Sequence, residues 1–157
     1  MEYALVFLPL IGSILSGFFG KILGDRNSEI ITSFLVSISA ILSLIIFNEV
    51  AFHNYENNLI IFNWINSGSL EINWSIKIDT VSSVMLVVVC LISSLVHVYS
   101  IGYMSHDPHK TRFMAYLSLF TFSMLMLVTS DNFLQLFFGW EGVGLCSYFL
   151  IGFWFKK

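Results

Sequence analysis

Five long apolar segments dominate the pattern of hydrophobic and polar positions along this chain. They cover residues 3–23, 30–52, 80–104, 113–130 and 132–155. Each is close to the roughly 20 mostly apolar residues that an α-helix needs to cross the hydrocarbon core of a membrane. The pattern therefore predicts five transmembrane helices. Because the last two are separated by a very short turn, we expect antiparallel neighbours, with Asp131 and Asn132 available to cap the fifth helix.

The connection between the second and third apolar segments has a different pattern. Residues 70–79, LEINWSIKID, alternate strictly between apolar and polar side chains, and residues 59–65, LIIFNWI, are also typical of a strand. Residues 66–69 supply Asn, Ser and Gly for a turn, so the connection is predicted to form a β-hairpin. Since an isolated two-stranded hairpin is marginally stable in water, we expect it to pack on the helix ends or on a partner subunit.

Composition supports a membrane environment. Of 157 residues, 57% are hydrophobic and 11% are charged, whereas a soluble domain usually has about 25% charged residues. The net charge of −3 is small and scattered, so nucleic acid is not an expected partner and the lipid bilayer is. Cys90 and Cys146 fall inside apolar runs and are interpreted as small buried hydrophobes. The predicted fold is therefore an all-α membrane protein with five transmembrane helices.

The basic residues predict the orientation. Six of the seven lie in connections on the same side of the five crossings, and Lys77 lies on the other side. By the positive-inside rule the N-terminus and the hairpin are outside, and the C-terminus is in the cytoplasm or in the matrix of an organelle. The six are Lys21, Arg26, Lys110, Arg112, Lys156 and Lys157. Because no basic residue precedes the first apolar segment, we expect a retained helix in place of a signal peptide.

Small residues recur at every fourth position of the first segment. Such a stripe allows a second backbone to approach closely, and we interpret it as structural. Its members are Gly12, Ser16, Gly20 and Gly24.

Glu141 is a carboxylate near the middle of the fifth apolar segment. An ionised group at that depth costs roughly 2.5–3.5 kcal/mol, so the carboxyl group is either protonated or faces a cation or a file of water. Exchange between these states, when a neighbouring charge moves, is the chemistry of a proton-relay carboxylate. The alternative is a permanently neutral Glu141 hydrogen-bonded across two helices. We expect Gly142 and Gly144 to leave room beside it.

Two further side chains are candidates for the same relay. His97 lies on a polar face of the third helix, and an imidazole titrates near pH 6.5. The alternative is a neutral His97 bonded to a serine hydroxyl or to a neighbouring helix. Tyr148 follows Glu141 by seven residues, about two helical turns, so its hydroxyl is predicted to lie on the same face.

The motif around Glu141 resembles a known family. WEGVGLCSYFLIGFW, residues 140–154, closely resembles the fifth helix of membrane subunit L of respiratory NADH:quinone oxidoreductase, called subunit 5 in mitochondria. Residues 97–128, HVYSIGYMSHDPHKTRFMAYLSLFTFSMLMLV, are similar to the third and fourth helices of the same subunit. The hairpin and Asp79 also fit its N-terminal region, so the resemblance covers essentially the whole chain.

The resemblance implies a subunit of a redox-driven proton pump, respiratory complex I. In this family the glutamate at position 141 pairs with a lysine in a later, broken helix, which has no counterpart before Lys157. The expected partners are therefore the missing C-terminal part of the same subunit and the other membrane-arm subunits. NAD, FMN, iron–sulfur clusters and quinone are implied for the whole complex. This chain has no Gly-rich phosphate loop and no cysteine spacing for a cluster, so we predict no cofactor and no catalytic redox site in it.

The resemblance also implies a division of the chain. Residues 1–52 hold helices one and two, 53–79 the external loop with the hairpin, and 80–157 helices three to five. This last part is the start of a truncated, proton-translocating, antiporter-like module. The expected location is a bacterial plasma membrane, or the mitochondrial inner membrane if the chain is organellar.

Two alternatives remain open at this point. The corresponding large subunit of the multi-subunit sodium/proton antiporters shares the architecture, and a fragment of it would transport ions without redox chemistry. A non-functional split-gene remnant would insert into the membrane and assemble with nothing.

Overall fold

Five α-helices and one β-hairpin make up the chain, as the sequence predicts. A computed structural model describes residues 1–53, 55–68 and 70–154. All five helices are long and apolar enough to cross a membrane. The helices are α1 (Glu2–Leu23), α2 (Asp25–His53), α3 (Thr80–Tyr103), α4 (Lys110–Val128) and α5 (Phe133–Ile151), and strands β1 (Asn57–Ser67) and β2 (Leu70–Ile78) lie between α2 and α3. The predicted fold class is thereby confirmed, and the orientation stays a prediction.

The helix boundaries differ from the apolar segments at several ends. The helix α2 begins at Asp25, five residues before its apolar segment at 30, and only Gly24 separates it from α1. Gly24 has a φ of +80°, a backbone conformation that glycine adopts without strain. Gly24 therefore forms the turn, and a Cβ there would meet nothing within 4 Å, so it is not part of the contact stripe. Hydrophobicity marks the part of a helix that lies in hydrocarbon, whereas its hydrogen bonds continue into the polar ends.

The helix α4 lies at the centre of the bundle and packs against α1, α2, α3 and α5. The small residues of α1 allow this packing. The Ser16 hydroxyl donates a 2.8 Å hydrogen bond to the Thr111 carbonyl of α4, and a Cβ at Gly20 would lie 3.3 Å from the Thr111 Cβ. At Gly12 the nearest backbone belongs to Thr32 of α2. The predicted close approach is thus made to two helices at once.

The hairpin packs on the helix ends. Its strands are antiparallel, with Ser67 opposite Leu70. The Lys77 N–H of β2 donates to the Thr129 carbonyl at 2.9 Å, and the Asn132 amide donates to the Asn73 carbonyl at 2.8 Å. Strand β2 is therefore fixed against the turn that joins α4 to α5.

Side-chain caps hold the helix starts at this end. Asn132 caps α5 by accepting the Gln135 N–H at 2.9 Å, as expected, whereas Asp131 forms an ion pair with Lys77 at 3.3 Å. Asp79 caps α3 by accepting the Ser82 N–H, and this hydrogen bond lowers the pKa of the Asp79 carboxyl.

The main apolar core lies between the helices and the hairpin, and Cys90 is buried within it. Cys146 is buried as well.

Candidate functional site

One face of α5 is shaped to contact α4. A Cβ at Gly139 would lie 2.8 Å from the backbone of Leu127, and a Cβ at Gly142 would lie 2.9 Å from the Ser123 hydroxyl. Both positions therefore need glycine, because the facing α4 atoms occupy the space of a side chain. Cys146, one turn further on, is buried on the same side.

Glu141 lies on the opposite face of α5. At about 100° per residue, it is turned well away from Gly139 and Gly142, and its side chain is exposed. Within the described residues it makes no hydrogen bond or ion pair. Tyr148 is exposed on the same face at 72%, as the seven-residue spacing predicts. The carboxyl and the phenol therefore face whatever packs beside this chain.

The two glycines next to Glu141 have different surroundings. We expected both to leave room beside the carboxyl group. The space at Gly142 is taken by Ser123 of α4, whereas a Cβ at Gly144 would meet nothing within 4 Å. Gly144 alone of the two therefore lies open on the exposed side.

The helix α5 is the least covered helix of the five. In its most apolar 18-residue window 17% of the residues are buried, compared with 28–39% in the other four. The exposed side carries large apolar groups as well, including Phe137 at 59% and Trp140 at 66%. Glu141 thus lies in an apolar face that is open in this chain.

His97 has the opposite environment, because it is completely buried between α3 and α4. Its Nδ1 lies 2.8 Å from the Ser93 carbonyl oxygen, so Nδ1 carries the proton and donates it. The other ring nitrogen, Nε2, then accepts from the Ser118 hydroxyl at 3.0 Å. Both ring nitrogens are satisfied with a neutral imidazole, which is the structural alternative for this residue.

The bundle keeps His97 and Glu141 on different sides of α4. Ser118, which contacts His97, and Ser123, which contacts α5, are five residues apart and so point about 140° away from each other. The structure therefore brings Tyr148 to the face of Glu141 and does not bring His97 there.

The sequence pattern does not signal a buried ion pair that the structure contains. Glu29 of α2 is 3% exposed, and its carboxylate lies 3.6 Å from the Lys110 ammonium at the start of α4. Each residue stands at the end of an apolar segment, where a charge is expected to be solvated. Because the two residues are far apart in the chain, no local pattern indicates the pairing.

The described part of the chain offers no cluster of three or more His, Cys, Asp or Glu side chains that could hold a metal ion.

Taken together, the fold and the site define a multi-pass membrane protein with a carboxylate on the open face of one spanning helix. Residues 64–114 match the sequence model of the NADH-ubiquinone oxidoreductase (complex I) chain 5 N-terminus. Residues 130–157 match that of the transmembrane region of NADH:quinone oxidoreductase and the Mrp antiporter.

Curated relatives extend these matches to the whole chain. NADH-ubiquinone oxidoreductase chain 5 of Arabidopsis thaliana is 59% identical over all of this chain and 24% of its own length. The protein of the same name from Triticum aestivum is 58% identical over all of this chain and 23% of its own length. That of Phytophthora infestans is 54% identical over 98% of this chain and 23% of its own length. The chain belongs to the NADH-ubiquinone oxidoreductase chain 5 family and spans about a quarter of the length of these relatives.

Proposed function

We propose that this chain is the N-terminal part of a proton-translocating membrane-arm subunit of NADH:quinone oxidoreductase, with Glu141 as an intramembrane relay carboxylate. The relatives that match the chain over its full length carry the name of chain 5 of this oxidoreductase. The observation that carries the relay role is the exposure of Glu141 on the face of α5 that points away from α4.

The physical argument rests on the cost of charge in hydrocarbon. A carboxylate that faced lipid at this depth would cost roughly 2.5–3.5 kcal/mol if ionised. A polar or cationic group beside Glu141 removes that cost, and the remaining part of a full-length subunit is the proposed source of it. When the neighbouring charge moves away, the protonated form becomes the more stable one. Alternation between the two forms takes up and releases a proton.

The proposed location is the mitochondrial inner membrane. The relatives come from two plants, an oomycete and fungi, which favours the organelle over the bacterial plasma membrane that the sequence also allows. The proposed partners are the other membrane-arm subunits of the complex. NAD, FMN, iron–sulfur clusters and quinone belong, in this proposal, to other parts of the assembly.

The relay role is tested by Glu141→Gln in the complete subunit within the assembled complex. We expect the number of protons pumped per electron to fall, because the amide cannot exchange a proton. The matched control is Glu71→Gln, which makes the same change at an exposed hairpin position. Unchanged pumping in Glu141→Gln, in a complex that still oxidises NADH, would show that the carboxyl is not a relay.

Sodium/proton antiport is the second candidate, because the description of the match over residues 130–157 includes the Mrp antiporter. The match over 64–114 and the full-length relatives favour the oxidoreductase. The two functions differ in their coupling. An antiporter would take up sodium in vesicles without NADH, whereas the proposed subunit would pump protons only during NADH oxidation. A remnant would be absent from the purified complex.

A further inference from the structure

A groove with basic residues at one end lies between α1 and α4, away from the hairpin. Its cavity volume is about 510 Å³. Lys21, His109 and Arg112 line it at the end where α1 stops and α4 starts, and all three side chains are exposed. Three basic side chains therefore surround one end of a single cavity.

The other end of the groove is small and apolar. From Lys21 the lining continues along α1 through Gly17 to Ser13, and Leu119 lines it from α4. The distance from Lys21 to Ser13 is about 12 Å at 1.5 Å per residue. Phe18, which is 82% exposed, stands at its side. The groove is thus charged at the membrane boundary and apolar toward the middle of the helices.

The cationic groups in this groove are available to a ligand. Among the described residues, neither Lys21 nor Arg112 forms an ion pair, whereas the nearby Lys110 is neutralised by Glu29 at 3.6 Å. The Arg112 guanidinium lies 5.0 Å from the centre of the Phe153 ring, a cation–π contact that positions it without cancelling its charge.

We propose that this groove binds one anionic phospholipid, with its phosphate between Lys21, His109 and Arg112 and an acyl chain along the apolar end. Basic pockets between transmembrane helices are suited to anionic headgroups. The apolar half of the groove favours a lipid over free phosphate, because it would bury hydrocarbon that free phosphate lacks. Binding requires this chain alone, so the proposal is independent of proton translocation.

Native mass spectrometry of the purified chain in detergent tests the proposal, with phosphatidylglycerol and phosphatidylcholine of identical acyl chains as probes. We expect the chain to retain phosphatidylglycerol preferentially. The double variant Lys21→Gln/Arg112→Gln should bind it about 25-fold more weakly. Each basic side chain near an anionic lipid contributes about 1 kcal/mol, or about a fivefold change in the dissociation constant.

The matched control is Arg26→Gln/Lys77→Gln, which removes the same number of charges outside the groove. Equal weakening in the control would reduce the effect to general electrostatic attraction and overturn the proposal. Unchanged phosphatidylglycerol binding by the groove variant would also overturn it. If circular dichroism shows that the double variant has lost helix, Lys21→Gln alone takes its place, with an expected loss of about fivefold. Displacement of the lipid by millimolar inorganic phosphate would indicate a phosphate site and contradict the lipid assignment.

Discussion

Single glycines in α5 have two different uses. Gly139 is needed because α4 backbone atoms would lie 2.8 Å from any Cβ added there, whereas the space beside Gly144 is open. The sequence indicates close approach in general, but it does not tell which of several glycines in one helix makes the contact. That depends on which face of α5 meets α4.

We expect Gly139→Ala to destabilise the chain, because the backbone of Leu127 cannot move aside as a flexible side chain could. Overpacking typically costs about 1–3 kcal/mol, and the better helix propensity of alanine returns up to about 1 kcal/mol. The measurement is the free energy of unfolding in detergent micelles, followed by circular dichroism.

Gly144→Ala is the control for Gly139→Ala, since it makes the same chemical change in the same helix without a contact. It should leave the free energy of unfolding unchanged or raise it. Equal losses in the two variants would show that the close contact between α4 and α5 is absent in solution.

At the scale of elements, a side-chain amide joins the hairpin to α5. Gln135 is completely buried, and its amide donates to the Ser75 carbonyl at 2.6 Å and accepts the Ser75 N–H at 3.0 Å. Gln135 thereby pairs with β2 much as a third strand would. This contact explains why Ser75 is buried although the alternating pattern assigns it to the polar face.

Gln135→Leu should loosen the hairpin, because it leaves the Ser75 N–H and C=O buried without partners. A buried unsatisfied group costs about 1–3 kcal/mol. Hydrogen exchange of the β2 amides is the measurement, and exchange should become faster.

The control for the buried pair is Asn58→Ala, which removes an exposed hydrogen bond to Asp131 in the same region. Water can replace that partner, so exchange should change little. If the β2 amides of Gln135→Leu remain as protected as those of the wild type, Gln135 does not hold the hairpin.

At the scale of the whole molecule, the bundle is unevenly covered. The helix α4 is surrounded by four helices, while α5 keeps an open face that carries Glu141, Gly144 and Tyr148. An exposed carboxyl group in an apolar face is costly against lipid. We therefore expect this face to be covered in a full-length subunit.

Gly144→Leu tests that coverage by adding a bulky group beside Glu141. It should leave the isolated chain as stable as before and impair assembly or activity of a full-length subunit, because a covering helix would clash with the new side chain. Gly102→Leu is the control, since a Cβ at Gly102 also meets nothing within 4 Å. Its position on α3 should tolerate the change in both settings. Normal activity of full-length Gly144→Leu would mean that the face is open to lipid.

The sequence by itself determined the five helices, the hairpin, the cap at Asn132 and the family, because these depend on local hydrophobicity, turn residues and a short specific motif. The choice among partners was decided by the tertiary structure alone. Hydrophobic patterns do not specify which faces meet, so the Glu29–Lys110 pair, the Gln135–Ser75 contact and the neutral state of His97 were not determined. Packing on α4 turned His97 inward and Glu141 outward, since the two helices that carry them lie on opposite sides of it.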